Sequence, residues 1–311
     1  GYPILVKASA GGGGKGMREV HSPEELESQF TAAKTEALAA FGNGDVYLEK
    51  LVLRPRHIEV QILADKYDNR ISLCERDCSL QRRHQKLLEE APSPALDGET
   101  RRAMGVAAIK AVRATGYENA GTIEFLLDQD GRFYFMEMNT RVQVEHPVTE
   151  TITGTDIIKE QLRIASGEPI SCADKAPFTP NGHAIEFRIN AEDPDYDFRP
   201  CPGTITKFKV PGGPGVRVDT YISQGDRISP YYDSMSLRSS CGVPIAQRRS
   251  RVVSVRSRNS RSKVSRLPSR SICRCSRILP SSRATSLPTS LKPKWVMNND
   301  RHANERHGYC S

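Results

Sequence analysis

The sequence predicts an α+β fold, and three observations carry that reading. First, residues 121–150 read GTIEFLLDQDGRFYFMEMNTRVQVEHPVTE. Two alternating apolar runs, 122–127 and 132–138, flank a turn-forming Asp130-Gly131 pair, a strong signal for a β-hairpin. Second, the glycine-rich stretch AGGGGKGM satisfies G-x-G-x-x-G through Gly11, Gly13 and Gly16, yet a strand-like segment rather than a helix follows it. A dinucleotide crossover needs the helix directly after its glycines, and a Walker A loop needs Ser or Thr after the lysine, where Lys15 precedes Gly16. What remains is a glycine-rich flap between strands, able to lay backbone N–H groups over phosphates. Third, strands over 2–8, 17–20, 45–51, 56–64, 71–75, 184–190 and 204–210 share the chain with helices that begin at Pro23 and span 98–115 and 154–166.

Taken in order, residues 2–8 read as a buried strand and 17–20 as a second short one. A helix starts at Pro23, with Ser22 as N-cap and Glu25 as the capping-box acid. Residues 45–51 form the next strand, whose end can offer backbone groups to a flat base. The run 56–64, RHIEVQILA, alternates, with His57, Glu59 and Gln61 on one face and Ile58, Val60 and Ile62 on the other. Residues 71–75 are a further strand, followed by the polar run 76–86, RDCSLQRRHQK, which reads as a cation-rich loop suited to anions. Residues 98–115 form an amphipathic helix whose stripe is Met104, Ala107, Ala108, Ala111 and Val112. After the hairpin come a helix over 154–166 and strands over 184–190 and 204–210, which open a smaller β-rich segment running to Tyr232.

Counting across the hairpin with a two-residue turn sets Gln129 against Arg132, Leu127 against Tyr134, Phe125 against Met136 and Glu124 against Glu137. Directly opposed Cβ atoms lie roughly 4.5–5.5 Å apart, and the period of two adds Asn139 to the same face. Two facing carboxylates repel unless something positive sits between them, and this oxygen-rich set suits Mg²⁺ or Mn²⁺ shared with substrate phosphates.

The net charge of +8 hides a division. Residues 236–311 carry 17 Lys and Arg against Asp300 and Glu305, a net of +15, whereas residues 1–235 have a net of −7. From 236 to 290 the chain is dominated by Ser and Arg, without helical or strand period. Such a tail either binds nucleic acid through phosphates or is an out-of-frame translation; allowed codons for 236–247 read one base earlier can encode a well-formed strand and turn. On the second reading the tail is expected to be disordered and the segment before it left with unpaired edges. The eight cysteines lack zinc spacing and read as free thiols, which points to a reducing, cytoplasmic compartment. No apolar run approaches the roughly 20 residues of a membrane span, and the first residues lack the pattern of a signal peptide.

The segments GGGGKGM, RHIEVQILAD, ERDCSLQRRHQKLLEEAPSP, FMEMNTRVQVEHPVTE and GHAIEFRINAEDP, in this order and spacing, resemble the biotin carboxylase subunit or domain of biotin-dependent carboxylases, most of all that of bacterial acetyl-CoA carboxylase. The resemblance spans residues 1–235 and leaves out the tail and the family's amino-terminal Rossmann-like domain, so sequence is expected before Gly1 as well as in place of the tail. It implies an ATP-grasp fold: a lid subdomain over 1–53, a central antiparallel-sheet subdomain over 54–180, a partial carboxy-terminal domain over 181–235 and the aberrant stretch 236–311. It also implies a ligase that uses ATP, Mg²⁺ or Mn²⁺ and bicarbonate to form carboxyphosphate and then carboxylates biotin on a carrier protein, the first half-reaction of acetyl-CoA carboxylase in fatty acid biosynthesis. Pyruvate, propionyl-CoA and methylcrotonyl-CoA carboxylases are the alternatives, and nucleic-acid binding through the tail is the alternative from another class. Carboxyltransferase subunits and a homodimer are the further partners implied.

Carried over by motif, Lys7, Gly12, Gly13, Gly14, Gly16, Met17, Glu49, Leu51, His57, Gln81, His84 and Leu126 would hold ATP. Lys86, Arg141, Gln143, Val144 and Glu145 match the bicarbonate site, with Glu145 as base and Arg141 as bidentate clamp. Glu124, Glu137 and Asn139 match the metal positions, in agreement with the hairpin count. Arg188 would stabilise the enolate-like oxygen of biotin.

Overall fold

The computed structural model describes residues 1–10 and 16–243. The chain opens with a three-stranded antiparallel sheet of order β2-β1-β3, built from β1 (Ile4–Ala8), β2 (Met17–Val20) and β3 (Val46–Lys50). Helix α1 (Pro23–Phe41) packs on it, burying Ala33 against Val6 and Val20. Its start is the one expected, except that Glu25 accepts from the backbone N–H of His21 (2.9 Å) and the Ser22 side chain makes no capping bond.

The rest is organised by one eight-stranded sheet, antiparallel throughout. Its members are β4 (Arg56–Ala64), β5 (Arg70–Arg82), β6 (Gln85–Ala91), β7 (Asn119–Leu127), β8 (Phe133–Asn139), β9 (His183–Asn190), β13 (Val216–Thr220) and β15 (Met235–Val243). They lie in the order β13-β15-β9-β6-β5-β4-β7-β8. Two-residue bridges complete the strands, β10 (Glu192–Asp193) with β11 (Arg199–Pro200) and β12 (Gly203–Thr204) with β14 (Arg227–Ile228). Helix α2 (Gly98–Thr115) covers one face through Met104, Ala108 and Val112, which meet Ile58, Val60 and Ile62 of β4 and Ile123 and Phe125 of β7. Asp97 caps it by accepting from the Thr100 N–H at 2.7 Å. Truncating Met104 to Ala here is expected to cost ~2–5 kcal/mol. The opposite face of β4 is roofed with apolar side chains at its far end, where Ile157 and Ile164 of α4 (Ile157–Ala165) meet Leu63, and beside it by Val148 and Ile152 of α3 (His146–Thr153). That partial roof leaves the polar side chains of β4 facing the functional site.

Several sequence expectations are corrected. The polar run 76–86 is not a loop: it forms the second half of β5 and the start of β6. An extra residue near Cys74, whose φ is 64°, shifts the pairing of β5 with β4. Such a bulge reverses which face later side chains occupy, so Arg76 shares the polar face with Glu59. The helix expected over 154–166 is α4, which begins at Ile157, and a further helix that was not expected, α3, precedes it and stops at Gly154 with its left-handed φ of 68°. The strand over 204–210 shrinks to Gly203–Thr204.

At 236–243 the expectation of no regular structure is also corrected, because β15 runs to Val243 and pairs on both sides, with β9 and β13. Its backbone satisfies the edge of β9 regardless of low-complexity side chains, and small residues suit the tight site. A Cβ on Gly242 would come 2.1 Å from Thr151 Cγ2. The remainder of the basic tail lies outside the described residues. Among the described residues, no helix is long and apolar enough to cross a membrane.

Candidate active site

The site is assembled by cross-strand register. Arg76 of β5 pairs with Glu59 of β4, Glu59 with Glu124 of β7, and Glu124 with Glu137 of β8, so four charged side chains form one row across four strands. The next row holds Gln61, Thr122 and Asn139. The hairpin reaches this register by two offsets that cancel. Its loop has three residues, with Asp128 paired to Arg132 and Gly131 at φ 83°. Leu127 therefore faces Phe133 and Phe125 faces Phe135, rather than Tyr134 and Met136; a bulge between Glu124 and Phe125 then restores Glu124 opposite Glu137.

The inner end of the row is saturated. Arg76 is fully buried. It donates to Glu59 Oε2 (3.2 Å), Gln61 Oε1 (2.7 Å), Gln143 Oε1 (2.8 Å), and the hydroxyls of Thr122 and Thr149 (3.1 Å each). Lys86 Nζ bridges three carboxylates: Glu59, Glu124 Oε1 (3.2 Å) and Glu145 Oε1 (2.8 Å). His57 Nε2 lies 2.9 Å from Glu124 Oε2 and 3.0 Å from Glu59 Oε1. Burial alone would push the imidazole down, but hydrogen bonds to Glu124 and Glu59 outweigh it and raise it to about 9, so it is a cation at neutral pH. Against its own burial, Glu124 is held down at about 2 by the His57 hydrogen bond, the charges of Lys86 and His57, and the Gln143 amide. Burial would raise Glu59 too, yet His57, Lys86 and Arg76 keep it well below the usual range. Lys86 is held up, Glu59 and Glu145 prevailing over its burial.

Glu145 occupies the N-cap position of α3 without capping it. Its carboxylate turns instead to Lys86 and to Arg188 Nη2 (2.9 Å), while Arg188 Nε donates to Glu89 Oε1 (2.7 Å). Asn139 Nδ2 donates to Glu124 Oε1 (2.8 Å) and more weakly to Glu137 Oε1 (3.4 Å). Arg141 lies exposed at the rim, on the carbonyl of Val142 (3.2 Å) and Asn139 Oδ1 (3.4 Å). The Val144 carbonyl accepts from Arg238 at 2.6 Å.

Of the expected nucleotide group, Lys7, Met17 and Glu49 lie on the three-stranded sheet, where Lys7 pairs in register with Met17 and its Nζ is 3.2 Å from Glu49 Oε2. Burial acts against the Lys7 ammonium but Glu49 overrides it and raises it. Leu51 follows β3, and Leu126 sits opposite His57. Gln81 and His84 stand at the turn between β5 and β6, with the Gln81 amide on the Cys78 carbonyl (2.9 Å). Gly16 has a φ of 69°, and a Cβ there would meet Ala8 at 2.9 Å. Gly12, Gly13 and Gly14 lie outside the described residues.

Sequence reasoning missed Arg76, Glu59, Glu89 and Arg238 as members of this network. For Glu59 the signal was present, a charge flanked by Ile58 and Val60 in an alternating strand; Arg76 was masked by the surrounding polar run.

Residues 1–173 match the family described as carbamoyl-phosphate synthase L chain, ATP binding domain, and residues 186–251 match biotin carboxylase C-terminal domain. The chain belongs to the biotin carboxylase family. Biotin carboxylase from Nostoc sp. is 62% identical over 235 residues, 76% of this chain and 52% of the relative. A pyruvate carboxylase subunit of Methanothermobacter thermautotrophicus is 56% identical over the same length, 76% of this chain and 48% of the relative. The biotin carboxylase domain dimer of Hydrogenobacter thermophilus 2-oxoglutarate carboxylase, solved with MgADP, ADP and bicarbonate, superposes with a TM-score of 0.78 at 48% identity, covering 85% of this chain and 58% of that one. The chain thus spans about half the length of the curated relatives it matches, and its fold is the ATP-grasp fold of biotin carboxylases.

The family implies a divalent cation, and the residues present fit one. Glu124 and Glu137 face each other across two strands, and a half-turn of the Asn139 amide would bring its oxygen to the same space, an all-oxygen set for a hard cation. Two tighter donor groups, His57 with Glu59 and Glu124, and Glu59 with Cys78 and Glu145, fit less well. The first contains a protonated imidazole. In the second, burial holds the Cys78 thiol well up and Lys86 bridges the two carboxylates.

Proposed function

We propose that this chain carries the ATP-, metal- and bicarbonate-handling part of a biotin carboxylase, forming carboxyphosphate from ATP and bicarbonate and carboxylating biotin presented by a carrier protein. The observation that carries the reading is the suspension of Glu145 between Lys86 and Arg188 beside the metal carboxylates. Bicarbonate is a weak nucleophile. An anion entering at this point would draw Lys86, Arg188 and the nearby Arg141 onto itself, freeing a Glu145 oxygen to take its proton. A divalent ion held by Glu124, Glu137 and Asn139 would supply charge neutralisation for the transferring phosphoryl group. Lys7 and the glycine-rich segment 11–16 would cover the phosphates, Gln81, His84 and His57 the ribose and phosphates, and Met17, Glu49, Leu51 and Leu126 the base. Once drawn off Glu145, Arg188 is placed to hold the developing biotin oxyanion.

In this reading the chain divides into a lid, 1–53, a central subdomain, 54–180, and a partial carboxy-terminal domain, 181–235. It works in the cytoplasm as part of a dimer, with a biotin carrier and carboxyltransferase partners. Acetyl-CoA is the proposed final acceptor, supported by the higher identity to the Nostoc biotin carboxylase than to the pyruvate carboxylase subunit of Methanothermobacter thermautotrophicus.

The test is bicarbonate-dependent phosphate release from ATP and carboxylation of free biotin, measured on this chain and on one extended to the length of its relatives. Arg188→Ala is expected to lower biotin carboxylation by roughly 10²-fold or more while ATP cleavage falls less. Equal loss of both activities would assign Arg188 to the fold or to the nucleotide instead.

A further inference from the structure

Behind Arg188 the sheet carries a second carboxylate pair, with no cation bridging its members among the described residues. Glu89 of β6 and Glu186 of β9 are directly opposed residues of antiparallel strands, and both are fully buried. Glu89 Oε1 accepts from Arg188 Nε at 2.7 Å, and Glu186 Oε2 accepts from Ser240 Oγ at 2.8 Å. The second oxygen of each, Glu89 Oε2 and Glu186 Oε1, is buried without a hydrogen-bond partner. Two ionised carboxylates so placed would suffer desolvation at both orphaned oxygens and repulsion between them. One proton removes both penalties, because a protonated carboxyl donates and the carboxylate facing it accepts.

We propose that Glu89 and Glu186 share a single proton at neutral pH, carried by Glu186, and that this neutral acid fixes Glu89 as the anchor of Arg188. The proton belongs to Glu186 because Arg188 stabilises the charge of Glu89, whereas Glu186, among the described residues, accepts from the Ser240 hydroxyl. Around the pair stand Glu59 of β4, Cys78 of β5, Glu145 at the start of α3, Arg238 of β15 and, next to Arg238, His146 of α3. Glu59 and Glu145 oppose a second negative charge here; Arg188 favours ionisation of Glu89 and Arg238 that of Glu186, less strongly than burial opposes it. Burial raises both carboxyls, and lifts Glu186 well above the usual carboxylate range, while the Arg188 guanidinium holds Glu89 back, the order the assignment requires. Glu89 and Glu186 are thus positioning residues, acting through the distance at which Arg188 is held from Glu145. That consequence rests on the biotin carboxylase reading; the proton does not.

The experiment compares the wild-type chain with E186Q, whose amide N–H replaces the acid O–H, and with E186A, which offers no donor. A folded state that keeps a proton the unfolded state releases loses stability as pH rises from the unfolded glutamate value, about 4.5, toward the folded one. Relative to E186Q, the wild type is expected to lose up to about tenfold in its folding equilibrium per pH unit across that window. Infrared spectra at neutral pH should show a buried protonated carboxyl in the wild type that is absent from E186Q. In the extended chain, E186A should lower kcat for biotin carboxylation and E186Q should restore most of it. Parallel stability curves for wild type and E186Q, or a carboxyl band that survives in E186Q, would overturn the proposal. Absence of bicarbonate-dependent ATP cleavage with the proton signature intact would instead overturn the enzymatic reading alone.

Discussion

Glu124 and Glu137 are opposed across the same pair of strands, yet they live in different surroundings. Glu124, buried on an inner strand, receives Lys86, Asn139, Gln143 and His57. Glu137, exposed on the edge strand β8, receives only a long contact from Asn139 among its described hydrogen bonds. The positive charge expected between these two carboxylates stands instead one strand further in, where His57 and Lys86 lie between Glu59 and Glu124. The lesson is a division of labour along one row. The inner half spends its charges on one another and is set before any ligand arrives, whereas the outer half keeps its carboxylate free for a ligand.

The largest effect is expected at the inner end of the row. Arg76→Met removes the buried cation that Glu59 depends on, and is expected to cost about 3–5 kcal/mol of folding stability, measured by denaturant unfolding. Arg76→Lys should recover only part of this, because a lysine cannot reproduce a five-partner fork.

A smaller effect should appear in the pH dependence of the inner half. The folded value of His57, about 9, lies above its ordinary 6.5, so its stabilisation is complete below 6.5 and is lost as pH rises through about 9. The span corresponds to about 3 kcal/mol. Glu124 has the opposite sign: its contribution is complete above 4.5 and is lost as pH falls through about 2. Thermal unfolding from pH 5 to 10 should therefore show an alkaline decline that His57→Gln flattens. An unchanged alkaline limb in that variant would remove His57 from the charged network.

How much of this was legible in the sequence follows from the same division. The strand 56–64 and helix 98–115 could be read because one apolar face and one polar face alternate at the right period. Glu124 opposite Glu137 was reached by a count whose turn length was wrong, and the count succeeded because the bulge beside Phe125 compensates for the three-residue loop. The second half of β5 was illegible, since its inward side chains are charged and stabilised by residues far along the chain, Thr149 and Gln143 among them. Hydropathy reads such a strand as a solvated loop. Helix α3, with its β-branched residues and Pro147, is formed by packing of Val148 and Ile152 rather than by propensity. Strand β15 escaped because backbone pairing, not side-chain pattern, holds it.

The paired variants Glu124→Gln and Glu137→Gln separate the inner half of the row from the outer, with unfolding free energy and Mg²⁺-dependent ATP binding measured on the same preparations. Glu137→Gln is expected to change stability by no more than about 0.5 kcal/mol while abolishing the Mg²⁺ dependence; Glu124→Gln should lose both, with a stability cost of ~2 kcal/mol or more. Equal destabilisation by the two variants, or a Glu137→Gln protein that still responds to Mg²⁺ as the wild type does, would contradict the account.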